Sequence, residues 1–227
     1  MNFHILQRLN QARLRKKPVV LVTFLDSNEQ GLYYQDGSME DIELNDELIA
    51  SARKVLKSNK GFVVQDKQVF FQPFNPPLRM VIIGAVHITQ CLVKLASLCD
   101  YQVSVVDPRQ AFAATARFPE TELITEWPDR ALEEFKPDAR TAIVTLTHDP
   151  KLDDPALAVA LKSDAFYIGA LGSQKTQAAR QERLEQQGFS EEQRSRIHGP
   201  IGLDIRAASP AEIAVSIMAE ITACLHS

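Results

Sequence analysis

Residues 79–107, RMVIIGAVHITQCLVKLASLCDYQVSVVD, read as a strand, a glycine turn, a helix and a second strand that ends in an acid. Met80-Val81-Ile82-Ile83 is the unbroken apolar run that a strand buried on both faces requires. Gly84 starts a tight turn, Ile88 to Leu98 continues as a helix, and Val103-Ser104-Val105-Val106 forms the next strand. Asp107 follows Gly84 at the roughly 20-residue spacing at which a dinucleotide-binding βαβ unit sets an acid on a ribose. The fingerprint lacks its central glycine. Val86 stands where that glycine would let a pyrophosphate approach the backbone, although the helix N-terminus near His87 still offers N–H groups and a positive dipole end. Binding of an ordinary NAD(P) is therefore expected to be weak or absent.

Working outward, strands and helices alternate from Leu78 to the end of the chain. Strands are expected at 79–84, 102–107, 123–125, 141–146 and 165–169, so the fold class is α/β: a Rossmann-like parallel sheet with helices on both faces. Ser190-Glu191-Glu192-Gln193 and Ser209-Pro210-Ala211-Glu212 read as capping boxes, Gly188 ends the helix that starts near Ser173, and Ala211 to Leu225 makes a final apolar helix. Its Ile213, Val215, Ile217, Met218 and Ile221 pack on the sheet or on a second subunit.

Upstream the texture differs. A short helix around Phe3 to Leu9, strands at Val19 to Leu25 and Leu32-Tyr33-Tyr34, a helix from Asp46 to Leu56, and a hairpin of Gly61–Gln65 with Val69–Phe74 make a small α+β domain over residues 1–74. Pro73-Phe74-Asn75-Pro76-Pro77 cannot continue a helix or an interior strand, so the linker falls there and the Rossmann-like domain spans 78–227.

The 227 residues are 45% hydrophobic, enough for a proper core without staples, and the net charge of −4 supplies no general pull toward nucleic acid or anionic membrane. Arg13, Arg15, Lys16 and Lys17 are a local cluster that reads as a solvated helix end. The three cysteines, Cys91, Cys99 and Cys224, give neither a disulfide framework nor a metal spacing, and no secretory leader pattern is present, so a reduced, cytoplasmic protein is expected. Cys91 and Cys99, on a mostly apolar helix, read as buried structural thiols.

In an open α/β sheet, ligands bind at the carboxyl ends of the strands, and the polar residues of this chain gather at those junctions. His87 follows the first strand, Asp107 and Arg109 the second, His148-Asp149 the strand at 141–146, and Gly172-Ser173 with Lys175 and Thr176 the strand at 165–169. The loop His198 to Asp204 leads into the last helix. Each residue also has a structural reading: Asp107 as a turn cap ahead of Pro108, His87 as a helix cap, Asp149 as the N-cap before Pro150, Ser173 as a helix start, and His198 and Asp204 as parts of a turn. His87, His148 and His198 with Asp149 or Asp204 would supply metal ligands, but none has the short spacing that identifies such a site, and no metal is assigned. A serine-hydrolase elbow is absent.

These residues also carry a family resemblance. Val81 to Leu92 (VIIGAVHITQCL), Val103 to Arg109 (VSVVDPR), Thr147 to Asp153 (THDPKLD), Tyr167 to Thr176 (YIGALGSQKT) with Arg180 and Arg183, and His198 to Ile217 resemble the C-terminal Rossmann domain of the XdhC/CoxI family, accessory factors of xanthine dehydrogenase and related molybdenum hydroxylases. The resemblance implies a non-catalytic, nucleotide-binding chaperone for molybdenum cofactor, a phosphorylated pterin, which assists its sulfuration and insertion. It implies as partners a molybdenum hydroxylase and a cysteine desulfurase, and a homodimeric assembly. By the same analogy Gly84, Val86, His87, Asp107, Arg109, His148, Asp149, Gly172, Ser173, His198 and Asp204 are candidate cofactor-pocket residues. The chain departs from the pattern where the family's turn reads G-A-G-H against Gly84-Ala85-Val86-His87, and where Arg206 replaces a glycine. The family's G-S-x-P-R and G-G-C-L-E segments are not found between Val19 and Leu56.

Two other readings use the same residues: an NAD(P)-dependent oxidoreductase with His148 or His198 as proton donor, and an interaction module that has lost its ligand.

Overall fold

In the computed structural model, which describes residues 3–109, 117–119 and 121–226, strand β1 (Val19–Phe24) turns alternate residues to two different helices. Val19 and Leu21 share an apolar cluster with Ile5, Leu9 and Ala12 of α1 (Phe3–Leu14), whereas Val20 and Val22 share one with Leu48, Ala52 and Val55 of α2 (Asp46–Ser58). This two-residue period covers both faces of one small sheet. Strands β2 (Gln30–Tyr34), β3 (Met39–Glu40), β4 (Phe62–Val64) and β5 (Val69–Phe74) complete it in the antiparallel order β3-β2-β1-β5-β4. Asn45 opens α2 by accepting the Leu48 N–H at 3.0 Å, and left-handed Asn59 closes it. Strand β5 covers the expected Val69–Phe74 and so runs through Pro73, opposite Val20. The pairing of β4 ends at Phe71, so past that point β5 is an edge, where a residue without an N–H is tolerated.

The chain divides into two compact units, Met1–Pro76 and Pro77–Leu225. The second is built on β6 (Leu78–Ile83), α3 (His87–Leu98), β7 (Tyr101–Val106), β8 (Glu122–Ile124), α4 (Pro128–Phe135), β9 (Thr141–Thr145), α5 (Pro150–Ala160), β10 (Tyr167–Ala170), α6 (Gln174–Gln186), α7 (Glu191–Ser195), β11 (Ile197–His198) and α8 (Pro210–Leu225). All strands are parallel, in the order β11-β10-β9-β6-β7-β8. Strand order reverses between β6 and β9, which is the switch point where doubly wound sheets hold their ligands. Val106, Ile83, Thr145 and Ala170 stand in one row at the carboxyl edge.

Side chains of the central strands alternate between two cores. Met80, Ile82, Val105, Ala142 and Val144 pack with Leu92 and Ala96 of α3 and Ala214, Ile217 and Ile221 of α8. Val81, Ile83, Val106 and Ile143 pack with Leu132 of α4, Ala156, Leu157 and Ala160 of α5, and Leu184 of α6. The α/β class with helices on both faces is what the apolar runs demanded. Both capping boxes form: Ser190 and Gln193 bond reciprocally, as do Ser209 and Glu212.

Three details differ from the sequence reading. The strand expected at 165–169 lies at 167–170, and β11 is an additional strand whose two residues are too few for a periodic signal. Cys99 is exposed, because the apolar face of α3 has already left the core at Leu98, which is 81% exposed. Among the described residues no helix is long and apolar enough to cross a membrane.

Candidate functional site

Gly84 and Asp107 organise the first loop of the carboxyl edge. Gly84 has φ +109°, and a methyl group there would come within 2.7 Å of Thr147 Cγ2 and 3.3 Å of Thr147 N. Glycine is thus required both by conformation and by the close approach of the β6–α3 turn to the loop after β9. Thr89, inside α3, donates its hydroxyl to the Gly84 carbonyl at 2.5 Å and fixes the turn from below.

Asp107 is fully buried. Its Oδ2 accepts the Ala85 N–H at 2.8 Å, Oδ1 accepts the Arg109 N–H at 3.0 Å, and both oxygens accept from the Arg109 guanidinium at 2.9 and 2.8 Å. Burial pushes the carboxyl up, but the Arg109 guanidinium and the two backbone N–H groups outweigh it and hold Asp107 below the usual carboxylate range. The acid that spacing assigns to a ribose thus also holds the turn, in the manner of its structural reading. Arg109, 36% exposed, carries the charge outward, with Asp149 and Asp153 also in its field.

Val86 is the N-cap of α3 with φ −93° and ψ 180°, extended backbone that any residue adopts. Its side chain is half-buried against the cluster beneath α3, so the missing glycine costs no strain and part of the isopropyl group lies in the core. His87 is the first residue of α3 and exposed; it does not cap the helix.

On the other side of the switch point, His148 is exposed and left-handed at φ +59°, and Asp149 caps α5 by accepting the Lys151 N–H at 3.0 Å. Beneath them lies a polar layer that sequence reasoning missed as a site feature. Thr147 donates to Asp153 at 2.7 Å, and burial raises the Asp153 carboxyl against that bond and the Arg180 charge. Arg180, 2% exposed, donates to the Leu171 carbonyl at 2.8 Å and to Gln177 at 2.6 Å, and burial lowers its pKa against Asp153 and Asp154. Arg183 grips Asp154 at 2.5 and 3.0 Å. Among the described residues, buried Thr145 Oγ1 and Arg180 Nε have no hydrogen-bond partner. Besides the family resemblance, which includes Thr147, Asp153, Arg180 and Arg183 without giving them a role, the sequence signal for this layer is an acid pair, Asp153-Asp154, on a helix whose other buried residues are apolar.

The third loop ends in Ser173, the N-cap of α6, which accepts the Thr176 N–H at 3.2 Å, while a methyl group on Gly172 would meet Thr176 at 2.9 Å. The edge therefore ties the start of α3 to that of α5 through Gly84–Thr147 and Thr147–Asp153, and α5 to α6 through Asp154–Arg183, while Arg180 holds the Leu171 carbonyl of its own loop.

His198 goes elsewhere. Its ring stacks on Tyr167 at 4.7 Å, and its nitrogens face Glu220 and Cys224 of α8. Asp204 is exposed and accepts from the Arg206 N–H at 3.4 Å. Among the described residues, no three His, Cys, Asp or Glu side chains are grouped as a metal ion needs. A groove of about 130 Å³ in the first unit is lined by Arg8, Arg15, Lys17, Tyr34, Asp36 and Glu40. Its charges largely satisfy one another: Arg8 and Tyr34 both bond Glu40, at 3.2 and 3.1 Å.

Arg206 has φ +58° and is exposed, so the glycine it replaces in the family pattern has a conformational reason. A side chain in this region costs about 1–2 kcal/mol, and the greater unfolded freedom of glycine returns about 0.4–1 kcal/mol. Arg206→Gly is expected to raise stability by about 0.5–1 kcal/mol, read as a higher urea midpoint at unchanged slope.

Comparison with known proteins agrees with this geometry. The family model described as the XdhC Rossmann domain matches residues 80–221, from β6 into α8. A probable xanthine dehydrogenase subunit of Bacillus subtilis is 31% identical over 199 residues, covering 87% of this chain and 56% of that protein. The molybdenum cofactor insertion chaperone PaoD of Escherichia coli is 29% identical over 148 residues, covering 65% of this chain and 40% of that one. The crystal structure of a xanthine dehydrogenase from Bacillus halodurans superposes with a TM-score of 0.71 at 25% identity, covering 97% of this chain and 63% of that chain. The chain thus spans about half the length, or less, of these two curated relatives. A family match that takes in the whole carboxyl edge, from the Gly84 turn to the Arg206 loop, means that the chain belongs to the XdhC family.

Proposed function

We propose that this chain is an accessory protein of molybdenum hydroxylases of the xanthine dehydrogenase type, and that it binds molybdenum cofactor as cargo at the carboxyl edge of its parallel sheet. One observation carries the reading: the N-termini of α3 and α5 flank the point where strand order reverses, that of α6 opens one strand further along the same edge, and Arg109 stands in the field of Asp149 and Asp153 at the start of α5. The first-turn N–H groups of α3 and α6 have no carbonyl within their own helices to donate to, and together with the dipole ends they suit a phosphate. Gly84, Val86, His87, Arg109, His148, Asp149, Gly172 and Ser173 would line the cargo's phosphorylated tail, and Asp107 would hold the turn rather than touch the ligand. His198 and Asp204 drop out of this pocket. The names of the two curated relatives support the choice of cargo and recipient. Assistance in sulfuration, contact with a cysteine desulfurase, and a dimer belong to the same proposal.

His87→Glu tests it without disturbing the fold. A carboxylate in the first turn of α3 is neutral or mildly stabilising to the helix, yet it would repel a phosphate seated there. Saturable binding of molybdopterin to the purified chain is expected, at least about tenfold weaker for His87→Glu, an energy of about 1.4 kcal/mol. Absence of saturable binding, or equal binding by the variant, would sink the reading. Tight binding of NAD or NADP instead would favour the oxidoreductase, against which the closed Asp107 already speaks.

A further inference from the structure

His198, Glu220 and Cys224 form a cluster that the crevice does not use. Cys224 Sγ lies 3.8 Å from His198 Nε2, and His198 Nδ1 lies 3.5 Å from Glu220 Oε1. The other carboxylate oxygen, Glu220 Oε2, accepts from the Tyr167 hydroxyl at 2.5 Å and from the Gly202 N–H at 2.9 Å. With the acid anchored from two sides and the imidazole stacked on the Tyr167 ring, Nδ1 is the nitrogen that carries a proton toward Glu220. That leaves the Nε2 lone pair facing the thiol. Nucleophile, base and orienting carboxylate thus stand in the relation that activated thiols share across unrelated folds. Cys224 lies beyond the stretch matched by the family model, which ends at residue 221.

We propose that Cys224, with His198 as its base, is the thiol through which this chain exchanges with low-molecular-weight disulfides. In the exchange the Cys224 S–H proton passes to His198 Nε2 while a bond forms between Sγ and one sulfur of RS–SR. The RS–SR bond breaks, and the departing RS⁻ takes the proton from His198. Cys224 is oxidised to a mixed disulfide, and the other half of the reagent is reduced to RSH. Burial, and after it the Glu220 charge, push the Cys224 thiol up, so it rests protonated and depends on the base for its reactivity.

Cys99 in the same molecule calibrates the test. Exposure alone predicts that Cys99 reacts first, since it is exposed while Cys224 is only half-accessible. Treated with glutathione disulfide and mapped by mass spectrometry over time, the unaltered full chain is expected to be modified at Cys224 at least about tenfold faster than at Cys99, within the range for one general base. In His198→Gln the ratio of Cys224 to Cys99 rates is expected to fall about tenfold or more. Loosening of α8 would move that ratio the other way, because it exposes Cys224, so loss of the base and loss of packing are distinguishable. The proposal is overturned if Cys99 reacts first in the unaltered chain, or if the ratio is unchanged or higher in His198→Gln. The first arm needs no variant to fold.

Discussion

Arg180→Ala is expected to destabilise the protein by about 3–5 kcal/mol, measured from the urea midpoint at constant slope. Arg180 is among the largest fully buried side chains of the described residues, and its guanidinium bridges the Leu171 carbonyl and Gln177. Truncation leaves a cavity, an unpaired carbonyl after β10 and an unpaired amide oxygen, costs that add to one another. It also removes a cation opposing the upward push that burial exerts on Asp153. Arg180→Met separates these contributions. Methionine keeps most of the volume and escapes the desolvation of a buried charge, so its cost is expected to be about half that of alanine. An alanine variant within about 1 kcal/mol of the unaltered protein would mean that the guanidinium bonds barely offset their own desolvation. The consequence for the candidate site is direct, since the Leu171 carbonyl precedes the Gly172-Ser173 turn. Loss of Arg180 should therefore loosen the α6 N-terminus before it disturbs the Gly84 turn.

This dependence explains which parts of the molecule could be read from the chain alone. Met80 to Ile83 and Val103 to Val106 declare buried strands because their apolar atoms must leave water whatever their neighbours are. Ser190 and Ser209 declare helix starts because their partners lie three residues away. Local chemistry of this kind sufficed for the elements and the α/β class. Roles in the site depend on contacts between distant residues. Asp107 has the spacing of a ribose ligand, and that its oxygens also bond Ala85 and Arg109 could not be read from spacing; Val86 stands where a glycine would admit a pyrophosphate, and that its side chain packs partly on the core beneath α3 depends on distant residues. His198 counted as a crevice residue because of its loop, but alternation within β11 turns it toward α8. Arg180 entered only as part of the family resemblance and without a role, because the carbonyl and amide that bury it lie in the loop after β10 and one turn back along α6.

Asp107→Asn is expected to cost about 2 kcal/mol at neutral pH, and Asp107→Ala about 3 kcal/mol. Asparagine can still accept the Ala85 N–H but cannot serve the Arg109 guanidinium at both oxygens. Arg109 is partly exposed and recovers some hydration, which keeps the cost at the low end. The pH dependence identifies the cause. Burial raises the Asp107 carboxyl, but Arg109 and the backbone donors prevail, and its folded pKa lies below the unfolded value. Its contribution is thus complete above the unfolded pKa of about 3.9 and is lost as pH falls through the lower folded value. Asp153 acts with the opposite sign: burial raises its folded pKa, so it favours the folded state at low pH and loses that contribution as pH rises through the folded value. A stability curve of the unaltered protein mixes the two. The difference between unaltered protein and Asp107→Asn cancels Asp153 and should be flat above about pH 5, shrinking below about pH 4. A difference that persists undiminished well below that pH would show that the variant's cost comes from packing, and that the bonds from Ala85 and Arg109 do not hold the turn through charge.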